Sequence, residues 1–201
     1  MQQGSDEWFA ARLGKVTASR VADVVAKTKS GPAASRKNYL AQLVAERLTK
    51  TASDSFTNAA MQWGTEKEPE ARSAYTLMTD NPVEGVGFVD HPTIAMTGAS
   101  PDGLVADNGL VEIKCPNTAT HIETLLSGKV PSKHNTQMQW QMACTGREWC
   151  DFVSYDPRLT GDLALFVERV DRDYTLISEL ESSVSDFLDD VEETITKLMA
   201  L

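Results

Sequence analysis

The hydrophobic and polar positions of the first 80 residues recur at helical spacing. Ser5 is a helix-capping residue ahead of a short helical pattern that ends at Gly14. Ser35 has the same place ahead of a second pattern. The apolar residues of that pattern share one helix face: Tyr39, Leu40, Leu43, Val44 and Leu48. A third helical stretch covers residues 59–78, in which Pro69 either kinks the helix or begins a new one.

The period changes from helix to strand at about residue 83. Residues 83–89 and 96–105 are typical of strands separated by glycines, and Asp107-Asn108-Gly109 indicates a tight turn into a strand over 110–115. The remaining pattern predicts, in order, helices over 120–127 and 134–144, strands over 149–155 and 163–170, and a long helix. This order predicts an α/β class domain, in which a central mixed β-sheet is flanked by helices.

The predicted domain is a single one, residues 1–201. Its parts are a helical N-terminal part (1–80), a catalytic sheet core (81–170) and a C-terminal helix (171–201). That helix carries one apolar stripe, formed by Ile177, Leu180, Val184, Leu188, Val191, Ile195 and Leu198. The stripe packs against either the core or a partner.

Composition narrows the class of protein. No apolar run approaches the roughly 20 residues of a membrane helix, and the polar N-terminus does not look like a secretory signal, so we expect a cytoplasmic protein without a membrane partner. The 3 cysteines fit reduced thiols. The net charge of -10 argues against indiscriminate coating of nucleic acid. Residues 1–60 nevertheless carry a net +4, and residues 161–201 a net -8. This asymmetry of charge indicates either an electrostatic field directed at one surface of the protein or merely a solvated acidic helix.

The chemistry is concentrated in Pro101-Asp102 and, nine residues later, Glu112-Ile113-Lys114. In a strand, Glu112 and Lys114 point to one face while Ile113 points into the core. The intervening turn folds the chain back, so that Asp102 on the preceding strand lies next to Glu112. Two adjacent carboxylates repel unless a cation lies between them, and their oxygens suit Mg²⁺ or Mn²⁺.

A lysine beside such a metal site has two possible uses. Lys114 orients a water molecule or, if its surroundings lower its pKa, helps to deprotonate it. Metal-bound water next to an amine indicates a phosphodiester hydrolase. The alternative is an exposed hairpin with charged residues on its polar face. The apolar, buried-looking strand argues against that alternative, because an unpaired buried charge is costly.

These residues match the motif of the PD-(D/E)XK nucleases, whose core is restriction-endonuclease-like. Longer strings resemble the phage lambda exonuclease family, the YqaJ-type viral recombinases. They are Glu7-Trp8, Arg12-Leu13-Gly14, Thr17-Ala18-Ser19, Trp63-Gly64 with Glu68, Ser100-Pro101-Asp102-Gly103-Leu104, Glu112-Ile113-Lys114-Cys115-Pro116, Gln137-Met138-Gln139 and Tyr155-Asp156-Pro157-Arg158. They occur in order over most of the chain.

The resemblance implies a Mg²⁺-dependent 5′-to-3′ exonuclease that degrades linear double-stranded DNA processively. It implies mononucleotide products, a 3′ single-stranded tail, two metal ions for which Mn²⁺ can substitute, and a 5′-phosphorylated DNA end as substrate. Members of this family form ring-shaped homotrimers and work with a single-strand annealing protein in phage recombination. The resemblance therefore implies a homotrimer, an annealing partner and a phage- or prophage-encoded protein in a bacterial cytoplasm.

By motif position, the resemblance also assigns roles to single residues. The metal ligands would be Asp102, Glu112 and the backbone carbonyl of Ile113. Lys114 would position the attacking water, with Glu68 bonded to Lys114 or to a metal-bound water, and Gln137 would complete the catalytic set. Arg12, Ser19 and Ser100 match the pocket for the 5′ phosphate. Further DNA contacts would come from Arg36, Lys37 and, as a strand-splitting wedge, Met61.

For several of these positions, an alternative is a structural or solvated role without catalytic function. Glu68 has acidic helix neighbours and could be solvated, and Gln137 could belong to a polar helix face with Gln139 and Gln141. The histidines His91, His121 and His134 are expected to be structural or solvated. For the whole protein, the alternatives are a structure-specific or restriction-type endonuclease on the same core, and a DNA-end-binding subunit without cleavage.

Overall fold

The computed structural model describes residues 1–52 and 59–201. Its α-helices are α1 (Asp6–Arg12), α2 (Val21–Val24), α3 (Ala34–Thr49), α4 (Ala59–Thr79), α5 (Thr118–Ser127), α6 (Ser132–Thr145) and α7 (Tyr174–Met199). Its strands are β1 (Val16–Thr17), β2 (Lys27–Thr28), β3 (Gly31–Pro32), β4 (Val83–Glu84), β5 (Val89–Asp90), β6 (Thr97–Ala99), β7 (Gly103–Val105), β8 (Gly109–Lys114), β9 (Trp149–Tyr155) and β10 (Leu165–Asp171).

A five-stranded mixed sheet forms the centre, in the order β10-β9-β8-β7-β4. Strands β8 and β9 are parallel, and the other neighbours are antiparallel. The parallel pair needs a crossover, which α5 and α6 provide. A smaller sheet, β1-β6-β5, joins the N-terminal segment to the strand that precedes the catalytic hairpin. The predicted α/β class with a mixed, helix-flanked sheet is confirmed.

Strand β8 is buried on both faces, and the alternation of its side chains selects their partners. Val111 and Ile113 pack with Tyr75 of α4. Leu110 faces the other way and packs with Met138 of α6. Full burial of each such side chain stabilises the fold by about 1.5–3 kcal/mol. The residue between Val111 and Ile113 therefore lies on the α6 side of the sheet.

The apolar stripe of α7 belongs to the core along most of its length. Leu180, Val184 and Val191 are buried in one cluster with residues of α3 and α6. Phe187, a further member, stacks on Tyr39 of α3 with ring centroids 5.6 Å apart. Leu198, near the end of the helix, is 44% exposed. Of the two alternatives for the stripe, core packing is the one that the structure shows as far as Val191.

The start of α1 agrees with the prediction at Ser5, whereas α3 and α4 differ from it at Ser35 and Pro69. Ser5 caps α1 as expected, since its Oγ accepts a hydrogen bond from the backbone N–H of Trp8. Ser35, however, lies inside the first turn of α3, whose N-cap is Ala33. Pro69 lies within the uninterrupted helix α4 and begins no new helix. The tertiary packing of Tyr75 and its neighbours on the sheet outweighs the hydrogen bond that Pro69 cannot donate.

The strand pattern is more broken than the sequence predicts. Residues 83–89 and 96–105 form four short strands that belong to two different sheets. Pro101 lacks an N–H to donate to a ladder, and the chain changes sheets there, so Asp102 precedes β7 instead of lying within a strand. The N-terminal part also contains three short strands and is not entirely helical. Leu163 lies in a 3₁₀ turn ahead of β10.

The predicted turn at Asp107-Asn108-Gly109 is present, but Gly109 serves another purpose. Gly109 already pairs with Val105 as the first residue of β8. The positive φ of this loop falls on Ala106, at 47°. A Cβ atom on Gly109 would lie 2.1 Å from the ring of Trp149. Gly109 is thus required by the close approach of the tryptophan on β9.

Two observations bear on membranes and on the cysteines in the part of the chain that the structure describes. No helix there is both long and apolar enough to cross a membrane. All three cysteines are buried with free thiols, and burial raises the pKa of Cys150 well above its ordinary value. These thiols are therefore packing groups without thiolate reactivity.

Candidate active site

Asp102 and Glu112 are brought together by the hairpin β7–β8. Gly103 pairs with Val111, so the residues that flank this pair, Asp102 and Glu112, are neighbours. Asp102 Oδ2 accepts a hydrogen bond of 2.6 Å from the backbone N–H of Ile113. The predicted convergence of the two carboxylates is present.

Glu112 is fully buried and is held at both carboxylate oxygens by helix α6. Gln137 Nε2 donates to its Oε1 and Gln141 Nε2 donates to its Oε2, each over 2.6 Å. The Lys114 ammonium forms an ion pair with Oε1. A buried carboxylate needs such partners, because its transfer out of water is otherwise prohibitive. The site is therefore built by one strand and one helix face.

The charges of this cluster shift one another's pKa. Burial and the neighbouring charge of Glu112 raise the pKa of Asp102 to about 8. Burial lowers the pKa of Lys114, but the negative charges of Glu112 and Asp102 outweigh that effect and raise it above its ordinary value. The amine is therefore an ammonium that donates hydrogen bonds. Of the two roles considered for Lys114, orientation of a water is the one that fits this raised pKa.

Glu68 lies on α4, on the other side of Asp102. Its Oε1 accepts a hydrogen bond of 3.2 Å from Arg72, one helical turn further along. Arg72 also donates, over 2.5 Å, to the backbone carbonyl of Asp102. The negative charge of Glu68 helps to raise the pKa of both Asp102 and Lys114. The structure thus places Glu68 near the cluster and pairs it with Arg72, while its bond to Lys114 or to a water stays a prediction.

Arg12 and Ser100 form a second polar group. Ser100 precedes Asp102 by two residues. Ser100 Oγ accepts hydrogen bonds from Arg12 Nη1 at 3.1 Å and from Trp8 Nε1 at 2.9 Å. The guanidinium carbon of Arg12 lies 4.0 Å from the centre of the Trp8 ring. Burial lowers the pKa of Arg12 below its ordinary value, but the guanidinium remains a cation at neutral pH. The stacked, hydrogen-bonded fork is pre-organised for an anion.

One open cleft of about 1400 Å³ is lined by residues of both groups, although Ser100, Glu112, Lys114 and Gln137 are not part of its lining. Of the predicted site residues, its lining includes Arg12, Ser19, Met61, Glu68 and Asp102. Ser19 is exposed, and its Oγ lies 3.4 Å from Thr17 Oγ1. Met61 is 54% exposed on α4. The wedge role of Met61 stays a prediction.

Arg36 and Lys37 are not among the residues that line this cleft. Arg36 donates to Asp190 of α7 over 2.8 Å, and its guanidinium carbon lies 5.0 Å from the centre of the Phe187 ring. This arginine therefore joins α3 to α7, and its role as a DNA contact stays a prediction. Lys37 is exposed on the first turn of α3.

Three residues of the site were not among those predicted: Trp8, Arg72 and Gln141. Trp8 stands in one of the recognised strings, but only the structure shows that its indole N–H bonds to Ser100. Gln141 follows Gln137 by four residues, so the two share a helix face. Gln139 points elsewhere and bonds to Asp171 and Asp173. Helical spacing could therefore have singled out Gln141, whereas nothing in the sequence marks Arg72.

The three histidines are structural rather than solvated. His121 is fully buried between Ser154 and the carbonyl of Leu163. His91 is buried and stacks on Trp140. His134 stacks on Phe152 at 5.4 Å, and burial together with the charge of Lys114 lowers its pKa to about 3. His134 is therefore neutral beside the site.

A mixed sheet whose hairpin presents Asp102, Glu112 and Lys114 at one point is the arrangement of a PD-(D/E)XK nuclease. Comparison with known proteins makes this specific. Residues 7–148 match the model of the YqaJ-like viral recombinase domain. The chain therefore belongs to this family. No curated protein matches the chain.

Solved structures give the same result. LHK-Exo, an alkaline exonuclease from Laribacter hongkongensis, is 59% identical, with a TM-score of 0.91 and coverage of 98% of this chain and 97% of that one. Its complex with dAMP gives 60% identity, the same TM-score and 96% coverage of both chains. A phage-related exonuclease from Haemophilus somnus 129PT is 15% identical, with a TM-score of 0.70 over 92% of this chain and 96% of that one, and so supports the fold alone. The predicted family, fold class and enzyme class, a DNA exonuclease and hence a hydrolase, are confirmed.

Proposed function

We propose that the protein is a Mg²⁺-dependent exonuclease that degrades linear double-stranded DNA from its 5′ end. It releases mononucleotides and leaves a 3′ single strand. The observation that carries this proposal is the shared cleft, in which the cationic fork of Arg12 and the carboxylate of Asp102 line the same space. A site for a terminal phosphate and a site for bond cleavage are thus adjacent.

The donor set fits Mg²⁺. Among the described residues, no group of three or more His, Cys, Asp and Glu side chains could hold a metal alone. Asp102, Glu112 and the backbone carbonyl of Ile113 would supply the protein's oxygens, which suits an ion that keeps several waters. Two ions are proposed, and Mn²⁺ is expected to substitute. When bound, Mg²⁺ supplies an activated water and neutralises charge on the phosphate.

The protein's own groups have distinct tasks around that metal site. Lys114, held as an ammonium, donates a hydrogen bond that orients the attacking water towards the phosphorus. Gln137 fixes Glu112 from the cleft side. Glu68, oriented by Arg72, accepts a hydrogen bond from a water or from Lys114. Each task is one of positioning, which is how most of the barrier to phosphoryl transfer is lowered.

Chain geometry supports both the polarity and the product. Ser100 and Asp102 are two residues apart, so their Cα atoms are separated by at most ~7 Å. A 5′ phosphate held by Arg12, Ser19 and Ser100 would therefore place the first internal phosphodiester near Asp102 and Glu112. Hydrolysis there releases a mononucleotide. The relative LHK-Exo has been solved with dAMP, a mononucleotide, which supports the same product here.

Assembly and partners are part of the proposal. A homotrimeric ring, with the net positive residues 1–60 of each chain towards a central channel, would bind duplex DNA despite a net charge of -10 per chain. The 3′ tail would pass to a single-strand annealing protein of the phage recombination system, in the bacterial cytoplasm. Membership of a viral recombinase family supports this placement.

The test uses one DNA in three forms: 5′-phosphorylated linear duplex, 5′-hydroxyl linear duplex and covalently closed circle. With Mg²⁺, the proposal expects mononucleotides from the 5′ strand of the linear forms, fastest with the phosphate, and no cleavage of the circle. Cleavage of the circle would establish the endonuclease alternative. Binding of ends without cleavage would establish the end-binding subunit. Release of 3′-terminal nucleotides first would overturn the polarity.

A further inference from the structure

The second glutamine on the catalytic face of α6 is bound more deeply than the first. Gln141 is fully buried, whereas Gln137 is half-buried beside the partly exposed Lys114. Gln137 and Lys114 both contact Oε1 of Glu112, and Gln141 alone of the three contacts Oε2. The two oxygens of the carboxylate therefore have different surroundings: Oε1 lies beside the half-buried Gln137 and the partly exposed Lys114, and Oε2 lies beside the fully buried Gln141.

The side-chain amide of Gln141 donates to Glu112, but its own carbonyl oxygen accepts no hydrogen bond in the described part of the chain. Its Oε1 is buried and has no hydrogen-bond partner within residues 1–52 and 59–201. An unpartnered buried carbonyl oxygen costs free energy. Rotating the side-chain amide of Gln141 by 180° would not avoid this cost, because the amide would then no longer donate its hydrogen bond to Glu112. A carboxylate can only accept, so the amide orientation follows from the demand of Glu112.

We infer that Gln141 is a positioning residue that sets the metal affinity of the site. It keeps Oε2 of Glu112 occupied by a neutral donor, so that a cation would approach Oε1 and replace the contact of that oxygen with Lys114. It also stabilises the ionised carboxylate without adding a positive charge that would repel that cation. This inference rests on the proposed metal dependence and adds a residue that the resemblance does not assign.

The test measures metal binding in the absence of DNA, so that it does not depend on activity. Free Mn²⁺ is counted by electron paramagnetic resonance during titration of the wild type, Gln141→Met and the matched control Gln139→Met. Both changes keep a long, unbranched side chain at a buried position of α6, and only the first removes a bond to Glu112. Partners that orient metal ligands typically change affinity 10–100-fold.

The expected result is a loss of Mn²⁺ affinity of at least about 10-fold in Gln141→Met and less than about 2-fold in Gln139→Met. The turnover of Gln141→Met should rise as the metal concentration is increased well beyond that which saturates the wild type. Gln141→Asn, which keeps a shorter amide, should regain part of the affinity. These three variants separate a loss of metal affinity from a general loss of packing.

Two results would be adverse, and they differ. If Gln141→Met binds Mn²⁺ as tightly as the wild type, the inference is overturned and the metal-dependent function stands. If the wild type binds neither Mn²⁺ nor Mg²⁺, the proposed function itself fails. Should Gln141→Met not fold, Gln141→Leu, which also lacks a donor for Oε2, takes its place in the same titration, and an affinity equal to that of the wild type would overturn the inference.

Discussion

The backbone N–H of Ile113 donates to the carboxylate of Asp102 over 2.6 Å. The same strand segment that carries Glu112 thus also fixes the other acid. Asp102 does not need a strand of its own, because the hairpin register and this single bond hold it. The separation of the two carboxylates is therefore a property of backbone pairing, which changes little when surrounding side chains are replaced.

The first prediction concerns Lys114. Lys114→Ala should lower the rate of cleavage by ~10²–10⁴-fold while leaving the affinity for DNA ends within a few-fold of wild type. The reason is that Lys114 orients water, while binding depends on the cleft cations and the metal. Single-turnover cleavage and fluorescence anisotropy measure the two quantities. Lys129→Ala, an exposed lysine beyond α5, is the control.

Retention of more than about a tenth of the wild-type rate in Lys114→Ala would exclude this role, given the effect expected of a group that positions the attacking water. Asp102→Asn provides a contrast. It keeps an acceptor for the N–H of Ile113 but removes a metal oxygen, so it should be inactive and should also bind less Mn²⁺.

The second prediction concerns the terminal phosphate. Arg12→Ala should bring the cleavage rates of 5′-phosphorylated and 5′-hydroxyl duplexes together, because it removes the cationic fork that Ser100 and Trp8 hold in place. Arg36→Ala is the matched control, since that arginine pairs with Asp190. It should leave the ratio of the two rates unchanged. An unchanged ratio in Arg12→Ala would place the phosphate pocket elsewhere.

The third prediction concerns acid stability. Asp156 is fully buried at the end of β9, next to the loop after the catalytic strand. Burial raises its pKa, but hydrogen bonds from Arg158 and Thr118 outweigh burial and lower it to about 2. Because the folded pKa lies below the unfolded value, this stabilisation is present above about pH 4 and is lost as the pH falls from about 4 to about 2.

Asp156→Asn should therefore lower the free energy of unfolding at neutral pH by roughly 1–2 kcal/mol, with half-exposed Arg158 screened by solvent. The difference from wild type should shrink as the pH falls from 4 to 2. Urea unfolding at several pH values measures it, with exposed Asp162→Asn as control. A difference that does not depend on pH would show that packing, and not the ion pair, is responsible.

Local signals predict the catalytic strand and its neighbours well, because β8 has both a turn signal before it and a proline after it. The convergence of Asp102 with Glu112 follows from that hairpin alone. The sequence does not indicate which distant helix or strand supplies each hydrogen-bond or ion-pair partner. Arg72 reaches the backbone of Asp102 across 30 residues, and Arg36 finds Asp190 on α7. Such pairs depend on how helices pack on the sheet, which no periodicity of a single segment encodes.

Tertiary contacts also decide between alternatives that local preference leaves open. Pro69 is tolerated inside α4 because that helix is held on the sheet by Ala71 and Tyr75. Gly109 is fixed by the ring of Trp149 and not by the turn that precedes it. Lys114 was considered a candidate for a lowered pKa, yet two carboxylates raise it. In each case the deciding atoms come from another part of the chain.

The final prediction concerns assembly. A chain with a net charge of -10 repels DNA over most of its surface, so a monomer should bind duplex weakly and lose it between cleavage events. In a closed ring, the net positive residues 1–60 of three chains would face one enclosed channel, where low-dielectric walls strengthen their field.

Light scattering should then give about three times 22.0 kDa. Digestion already in progress should continue after an excess of unlabelled duplex is added, because an encircled strand cannot leave sideways. A stable monomer that this trap halts would refute the ring and leave the assignment of Asp102, Glu112 and Lys114 untouched.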